Sequence, residues 1–141
     1  MRKNYNNICN SSVLLFVLFV LCINISACNS SIAVNKQISA NELIEQIKVD
    51  KSPIILDVRT AEEYLQGHIP GSINIEYREL PFRISEISSL SNKKIVVYCE
   101  KGVRANIAEE TLKKAGFTEV LHLEGDMSGW RERGLATDKG W

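Results

Sequence analysis

Two apolar runs of strand length, Ile54-Ile55-Leu56-Asp57-Val58 and Ile95-Val96-Val97-Tyr98, constrain this chain more than any other feature. Neither alternates apolar with polar residues, as a strand with one wet face must, so both have the pattern of strands covered on two faces. The segments around them have helical pattern. Ser39-Ala40-Asn41-Glu42 has the spacing of a capping box, with Ser39 at N-cap and Glu42 at N3; Leu43, Ile44 and Ile47 then fall on one face, and Asp50-Lys51-Ser52-Pro53 stops the helix. Thr60-Ala61-Glu62-Glu63 repeats that signal for a short helix, and Gly67-His68-Ile69-Pro70-Gly71 turns the chain into a short strand, Ser72-Ile73-Asn74-Ile75. A helical stretch near 79–87 precedes the second run, a helix from Ala105 to Lys114 closes on Gly116, and Val120-Leu121-His122-Leu123 is a last strand before Gly125. Strands alternating with helices through short connections imply an α/β fold, a parallel sheet with helices on both faces. Such sheets bind ligands beyond the carboxyl ends of their strands.

The amino end is of a different kind. Arg2 and Lys3 precede an unbroken apolar run from Val13 to Ile23, the layout of a secretory signal. Its eleven residues fall short of the roughly 20 that span a bilayer core; a retained membrane helix would have to recruit Asn24 and its polar flank. The run closes on Ile25-Ser26-Ala27-Cys28, which resembles the lipobox of bacterial lipoproteins: an aliphatic residue, two small residues and the cysteine that receives lipid. The expected organisation is a removed signal over 1–27, a lipidated Cys28 with a small, polar tether over 28–37, and one domain over 38–141. A plain signal cut near Ala27, leaving Cys28 as a spare thiol, is the alternative. The resemblance implies an envelope protein held to the membrane through lipid on Cys28 and facing the periplasm. Asn29 in place of Asp favours the outer membrane in an enteric-type host.

Cleavage there removes two basic and no acidic residues from a chain with 17 of each, leaving a slightly acidic domain, which is not the balance of a nucleic-acid binder. It also leaves Cys99 as the one thiol of the folded part, since Cys9 and Cys22 depart with the signal and Cys28 is capped. An unpaired cysteine in an exported protein is either kept for use or buried and inert. Its surroundings favour use. Cys99 ends a buried strand and opens the loop Cys99-Glu100-Lys101-Gly102-Val103-Arg104 ahead of a helix, where unpaired amides and the helix dipole favour an anion and hence a thiolate. Gly102 lets successive amides converge on one anion, and Lys101 and Arg104 add positive charge.

Strand, cysteine, x-x-Gly-x-Arg and helix together resemble the active-site loop of the rhodanese family. Two flanking motifs agree: Leu56-Asp57-Val58-Arg59-Thr60-Ala61-Glu62-Glu63-Tyr64 with Gly67-His68-Ile69-Pro70-Gly71-Ser72-Ile73-Asn74, and Leu123-Glu124-Gly125 with Gly129-Trp130 and Gly134-Leu135. The resemblance runs from about 38 to 137 and implies a three-layer fold, a central parallel sheet of about five strands between helices. It also implies transfer of sulfane sulfur from thiosulfate, polysulfide or a persulfide to a thiol or cyanide through a persulfide on Cys99. Glu100, Lys101, Gly102, Val103 and Arg104 would then form the substrate cradle. No metal or organic cofactor is implied, and no nucleic-acid or protein partner is identified. Phosphatases of related fold place the arginine six positions after the nucleophile; Arg104 is five after Cys99, Ala105 stands where theirs would be, and Tyr98 stands where many carry histidine.

Three residues depart from the family pattern. Glu100 brings negative charge to an anion site, Ala105 removes a usual hydroxyl, and Asp126 replaces a usual second glycine, so a persulfide, polysulfide or protein thiol is the better-suited donor. Asp57 and Arg59 end the first strand on the same edge as Cys99 and are expected to form a local ion pair that braces the turn, with substrate contact as the alternative. His68 is expected to be a turn residue rather than a base, His122 a structural histidine and Trp130 a core residue. Two other functions compete with catalysis: a noncatalytic binding module, against which the intact loop argues, and a redox sensor, which requires an exposed thiol.

Overall fold

The computed structural model describes residues 36–49 and 52–141. The expected signal, the lipidation site Cys28 and most of the tether lie outside the described residues. The elements run β1 (Gln37–Ile38), α1 (Ala40–Lys48), β2 (Ile54–Asp57), α2 (Ala61–Gln66), β3 (Ile73–Asn74), α3 (Leu80–Arg83), β4 (Ile95–Tyr98), α4 (Val103–Lys114), β5 (Val120–Leu123) and α5 (Asp126–Glu132). The five strands form one sheet in the order β1-β5-β4-β2-β3, every neighbouring pair parallel.

The two apolar runs are the inner strands β2 and β4, paired Ile54 to Ile95 through Asp57 to Tyr98. Their side chains divide between two cores. Leu56, Ile95 and Val97 pack with Leu80, Ala105, Ala108 and Leu112 from α3 and α4 on one face; Ile55, Val96 and Tyr98 pack with Leu43, Met127 and Trp130 from α1 and α5 on the other. A three-layer α/β arrangement follows because an inner strand with two apolar faces must be covered twice. Each Leu or Ile so buried stabilises the fold by about 1.5–3 kcal/mol in transfer terms.

Both capping signals start helices. Thr60 and Glu63 form the reciprocal box, Thr60 Oγ1 accepting from Glu63 N and Glu63 Oε2 from Thr60 N. Ser39 caps α1 on one side only: it accepts from Glu42 N at 3.2 Å, while Glu42 Oε1 accepts from Gln46 Nε2. Three expectations shift. Gln37, assigned to the tether by its polar surroundings, belongs to the edge strand β1 and pairs with His122. The helical stretch near 79–87 is one short α-helix followed by 3₁₀ turns at Ile84–Glu86 and Ser88–Leu90. The segment after Gly125, read only as motif, is the helix α5, which starts from Gly125 and Asp126 at φ of 77° and 53°.

Candidate active site

Parallel pairing puts the carboxyl ends of β2 and β4 side by side, so Asp57 and Cys99 meet at one edge. Cys99 is tied down by both of its backbone polar groups: its N–H donates to Asp126 Oδ1 at 2.8 Å and its carbonyl accepts from Met127 N at 3.0 Å. Glu100 O accepts from Ser128 N at 3.2 Å, so the start of α5 is stitched along the loop. The loop then turns back on its own sulfur, with Gly102 N–H donating to Cys99 Sγ at 3.1 Å. Gly102 makes this turn at φ 93°, and a Cβ there would lie 3.2 Å from Asp126 Oδ2. Both features favour glycine here. Lys101 and Val103 are exposed, Gly102 and Ala105 are buried, and Cys99 itself is only 1% exposed. That burial corrects the exposed thiol on which the redox-sensor reading rests.

The charged residues pair with one another. Arg104 directs its fork at Glu63 on α2, with contacts of 2.6 and 2.8 Å, rather than into an open cradle. Its guanidinium pulls the Glu63 carboxyl down to about 2, and Glu63 in turn raises Arg104, with a smaller contribution from Cys99. Asp57 and Arg59, both buried, form a multidentate pair: Arg59 Nε lies 3.0 Å from each Asp57 oxygen and Nη2 2.6 Å from Oδ2. Arg59 Nη2 also donates to Gly67 O at 2.8 Å, and its Nη1 lies 3.6 Å from Glu100 Oε2. Burial alone would lower Arg59, but Asp57 outweighs it and the net direction is up. Glu100 is held by Arg131 and Arg59, so its negative charge is countered. A cavity of about 550 Å³ opens beside Glu100, with Arg59, Arg131 and Lys139 among its walls.

His68 stays away from the sulfur: its ring stacks on Tyr64 at 3.7 Å, Nδ1 lies 2.9 Å from Tyr64 O, and its backbone pairs with Asp138. Trp130 is core, with Nε1 donating to Ala136 O at 2.8 Å. Tyr98 is buried, its hydroxyl accepting from Ile69 N at 3.1 Å and meeting Ser72 Oγ at 3.2 Å.

His122 is more than a lone structural histidine. Its Nδ1 lies 2.7 Å from Glu109 Oε1 and its Nε2 3.0 Å from Asp126 Oδ2, the same carboxylate that holds Cys99 N–H. Glu109 had a legible signal, a charged residue on the apolar stripe of α4 with Ala105, Ala108 and Leu112. Nothing in the sequence places that stripe against His122.

Residues 39–133 match the model of the Rhodanese-like domain. The putative sulfur carrier protein YrkF of Bacillus subtilis is 36% identical over 94 residues, 67% of this chain and 50% of that protein. A sulfurtransferase of Allochromatium vinosum is 30% identical over 99 residues, 70% of this chain and 91% of that protein. This chain thus spans about half the length of the first relative and most of the second. Among solved structures, a rhodanese-related protein from Thermoplasma volcanium superposes with a TM-score of 0.65 at 32% identity, covering 74% of this chain and 99% of that one. A thiosulfate sulfurtransferase from Pseudomonas aeruginosa gives 0.68 at 27% identity, covering 76% of this chain and 21% of that one.

Proposed function

The chain belongs to the family of rhodanese-like domains, and from that premise we propose that it is an exported, membrane-anchored sulfurtransferase working through a persulfide on Cys99. The observation that carries this reading is the loop itself. Cys99 is the nucleophile type the chemistry needs, its sulfur accepts Gly102 N–H at 3.1 Å, and both of its backbone groups are fixed by α5, so the loop is preorganised around a sulfur-centred charge.

In the first half-reaction the Cys99 thiolate attacks the outer sulfur of the donor. With thiosulfate, the new S–S bond forms as the donor's S–S bond breaks and sulfite leaves with the electron pair. With polysulfide or a persulfide, the leaving group is the shortened chain or the thiolate. In the second half-reaction cyanide or a thiolate attacks the terminal sulfur, yielding thiocyanate or a new persulfide and returning the Cys99 thiolate. Gly102 N–H and the neighbouring loop amides stabilise the negative charge on sulfur. Arg104 acts chiefly through Glu63, tying the loop to α2, while Asp57 and Arg59 brace the strand end and hold Glu100 to one side. The cavity beside Glu100 is walled by Arg59, Arg131 and Lys139 together with Glu63 and Glu100, so it offers a donor cationic as well as acidic contacts. The lipobox-like Ile25-Ser26-Ala27-Cys28 supports an activity at the cell envelope, anchored through Cys28.

The reading is tested by thiocyanate formation from thiosulfate and cyanide, and by thiol persulfide formation from polysulfide, beside Cys99→Ser. Turnover that disappears in the variant supports it. Turnover that survives the substitution, or a folded protein inactive with every donor, rejects it.

A further inference from the structure

Behind the loop lie three buried charged groups, Glu109, His122 and Asp126, which are 1%, 7% and 4% exposed and of which this mechanism uses only the Asp126 bond to Cys99 N–H. A carboxylate can only accept, so an imidazole whose two nitrogens both meet carboxylates donates from both and is an imidazolium. The charged groups facing His122 are Asp126 at the start of α5, Glu109 on α4 with Lys113 Nζ behind it at 3.3 Å, and the Cys99 loop; on the β1 side it meets backbone, its N–H donating to Lys36 O. The contacts with Asp126 first, then Glu109, hold His122 up at about 10, so it is charged at neutral pH.

This cluster touches the nucleophile through Asp126 and lies close under its loop at Gly102. Asp126 Oδ1 accepts Cys99 N–H at 2.8 Å, and a Cβ on Gly102 would meet Asp126 Oδ2 at 3.2 Å and His122 Nε2 at 3.6 Å. Gly102 in turn supplies the N–H on the sulfur. A buried carboxylate bonded to the nucleophile's own N–H opposes any charge developing on that sulfur, and low surrounding polarity strengthens the opposition. A cation on the carboxylate's other oxygen offsets it at its source, and His122 is that cation. Asp126 occupies this place at φ 53°, a conformation that a side chain adopts at a cost.

Resting on the assignment of Cys99 as the nucleophile, we propose that Glu109, His122 and Asp126 are positioning residues whose charge balance sets the reactivity of Cys99, the His122 cation offsetting the carboxylate that anchors the nucleophile's backbone. The expected signs separate this from a merely structural role. His122→Gln leaves the Asp126 carboxylate without its cation, while Glu109 keeps Lys113, and slows reaction at Cys99. Adding Asp126→Asn to that variant removes the offending charge, keeps an oxygen acceptor for Cys99 N–H and restores the rate. Glu109→Gln leaves Asp126 as the cluster's one carboxylate, facing the His122 cation with Lys113 behind it, and speeds the reaction.

The experiment uses the full chain in detergent micelles, with iodoacetamide as a neutral probe from pH 5 to 9 and alkylation read by mass spectrometry on the Cys99 peptide. Thiosulfate and polysulfide loading of that peptide is followed in parallel. At pH 7 His122→Gln is expected to react about tenfold more slowly, with its rate–pH profile moved about one unit upward. The His122→Gln/Asp126→Asn double variant is expected within about threefold of wild type, and Glu109→Gln above wild type. The proposal is overturned if the double variant is slower than His122→Gln, or if all three slow in step with lost thermal stability. Should His122→Gln not fold, the sign for Glu109→Gln decides. If alkylation follows the expected order while no donor loads any protein, the positioning role stands and the sulfurtransferase reading falls. If loading proceeds alike in wild type and variants, the reverse holds.

Discussion

Replacing Gly102 with alanine perturbs two features of the loop at once. The residue sits at φ 93°, where a Cβ costs about 1–2 kcal/mol. The added Cβ would also lie 3.2 Å from Asp126 Oδ2. That oxygen has little room to retreat, because it contacts His122 Nε2 at 3.0 Å while Oδ1 of the same carboxylate holds Cys99 N–H at 2.8 Å. Relieving the contact by moving the loop costs about 1 kcal/mol more, for a total of about 2–3 kcal/mol and a fall in Tm of roughly 10–15 °C for a domain of this size. Urea unfolding of wild type and Gly102→Ala measures the loss directly. Asp126→Gly separates the two parts: in that background the contact is gone and only the backbone cost remains, so the two substitutions should couple by about 1 kcal/mol. A Gly102→Ala loss under about 0.5 kcal/mol, or strict additivity with Asp126→Gly, would refute this account of the turn.

The Glu63–Arg104 pair makes stability sensitive to acid. Glu63 is lowered from 4.5 to about 2, so its contribution is present above pH 4.5 and disappears as pH falls through 2. With both side chains about a quarter to a third exposed, that contribution is about 1–2 kcal/mol after solvent screening; Glu63→Gln should show the same deficit at pH 7 and a flatter acid limb in urea titrations. His122 acts in the opposite direction. Its pKa, raised from 6.5 to about 10, stabilises the fold fully below pH 6.5 and ceases to do so as pH rises through 10, so melting temperatures should fall across that window and fall less steeply in His122→Gln. For the proposed anchor, Cys28→Ser should move the protein from the lipid-labelled membrane fraction to unprocessed precursor; unchanged lipid labelling would exclude Cys28 as the site.

The inner strands and the loop were legible because burial on two faces leaves a run such as Ile95 to Tyr98 no polar position, and because glycine at 102 marks a turn few other residues can make. The box at Thr60 and Glu63 was legible for a local reason: both hydrogen bonds span three residues. Edge strands were uneven. Ile73–Asn74 could be read from the turn before it, whereas Gln37–Ile38, two residues long and too short for any periodicity, exists because β5 offers it a partner. The site's electrostatics depend on long-range pairing in the same way. Arg104 meets Glu63 across 41 residues and Cys99 N–H meets Asp126 across 27, so the sequence alone suggested an arginine free for substrate and an aspartate that was merely unusual. Glu100 looked repulsive for want of Arg131, 31 residues away.

The central claim is that Cys99 carries the transferred sulfur. Its most direct test is mass spectrometry of the Cys99 peptide after incubation of the reduced full chain with thiosulfate and, separately, with polysulfide. The account predicts one added sulfur atom on that peptide, removed by cyanide or a thiol and absent from Cys99→Ser. A folded, reduced protein whose Cys99 gains no sulfur from either donor would contradict it.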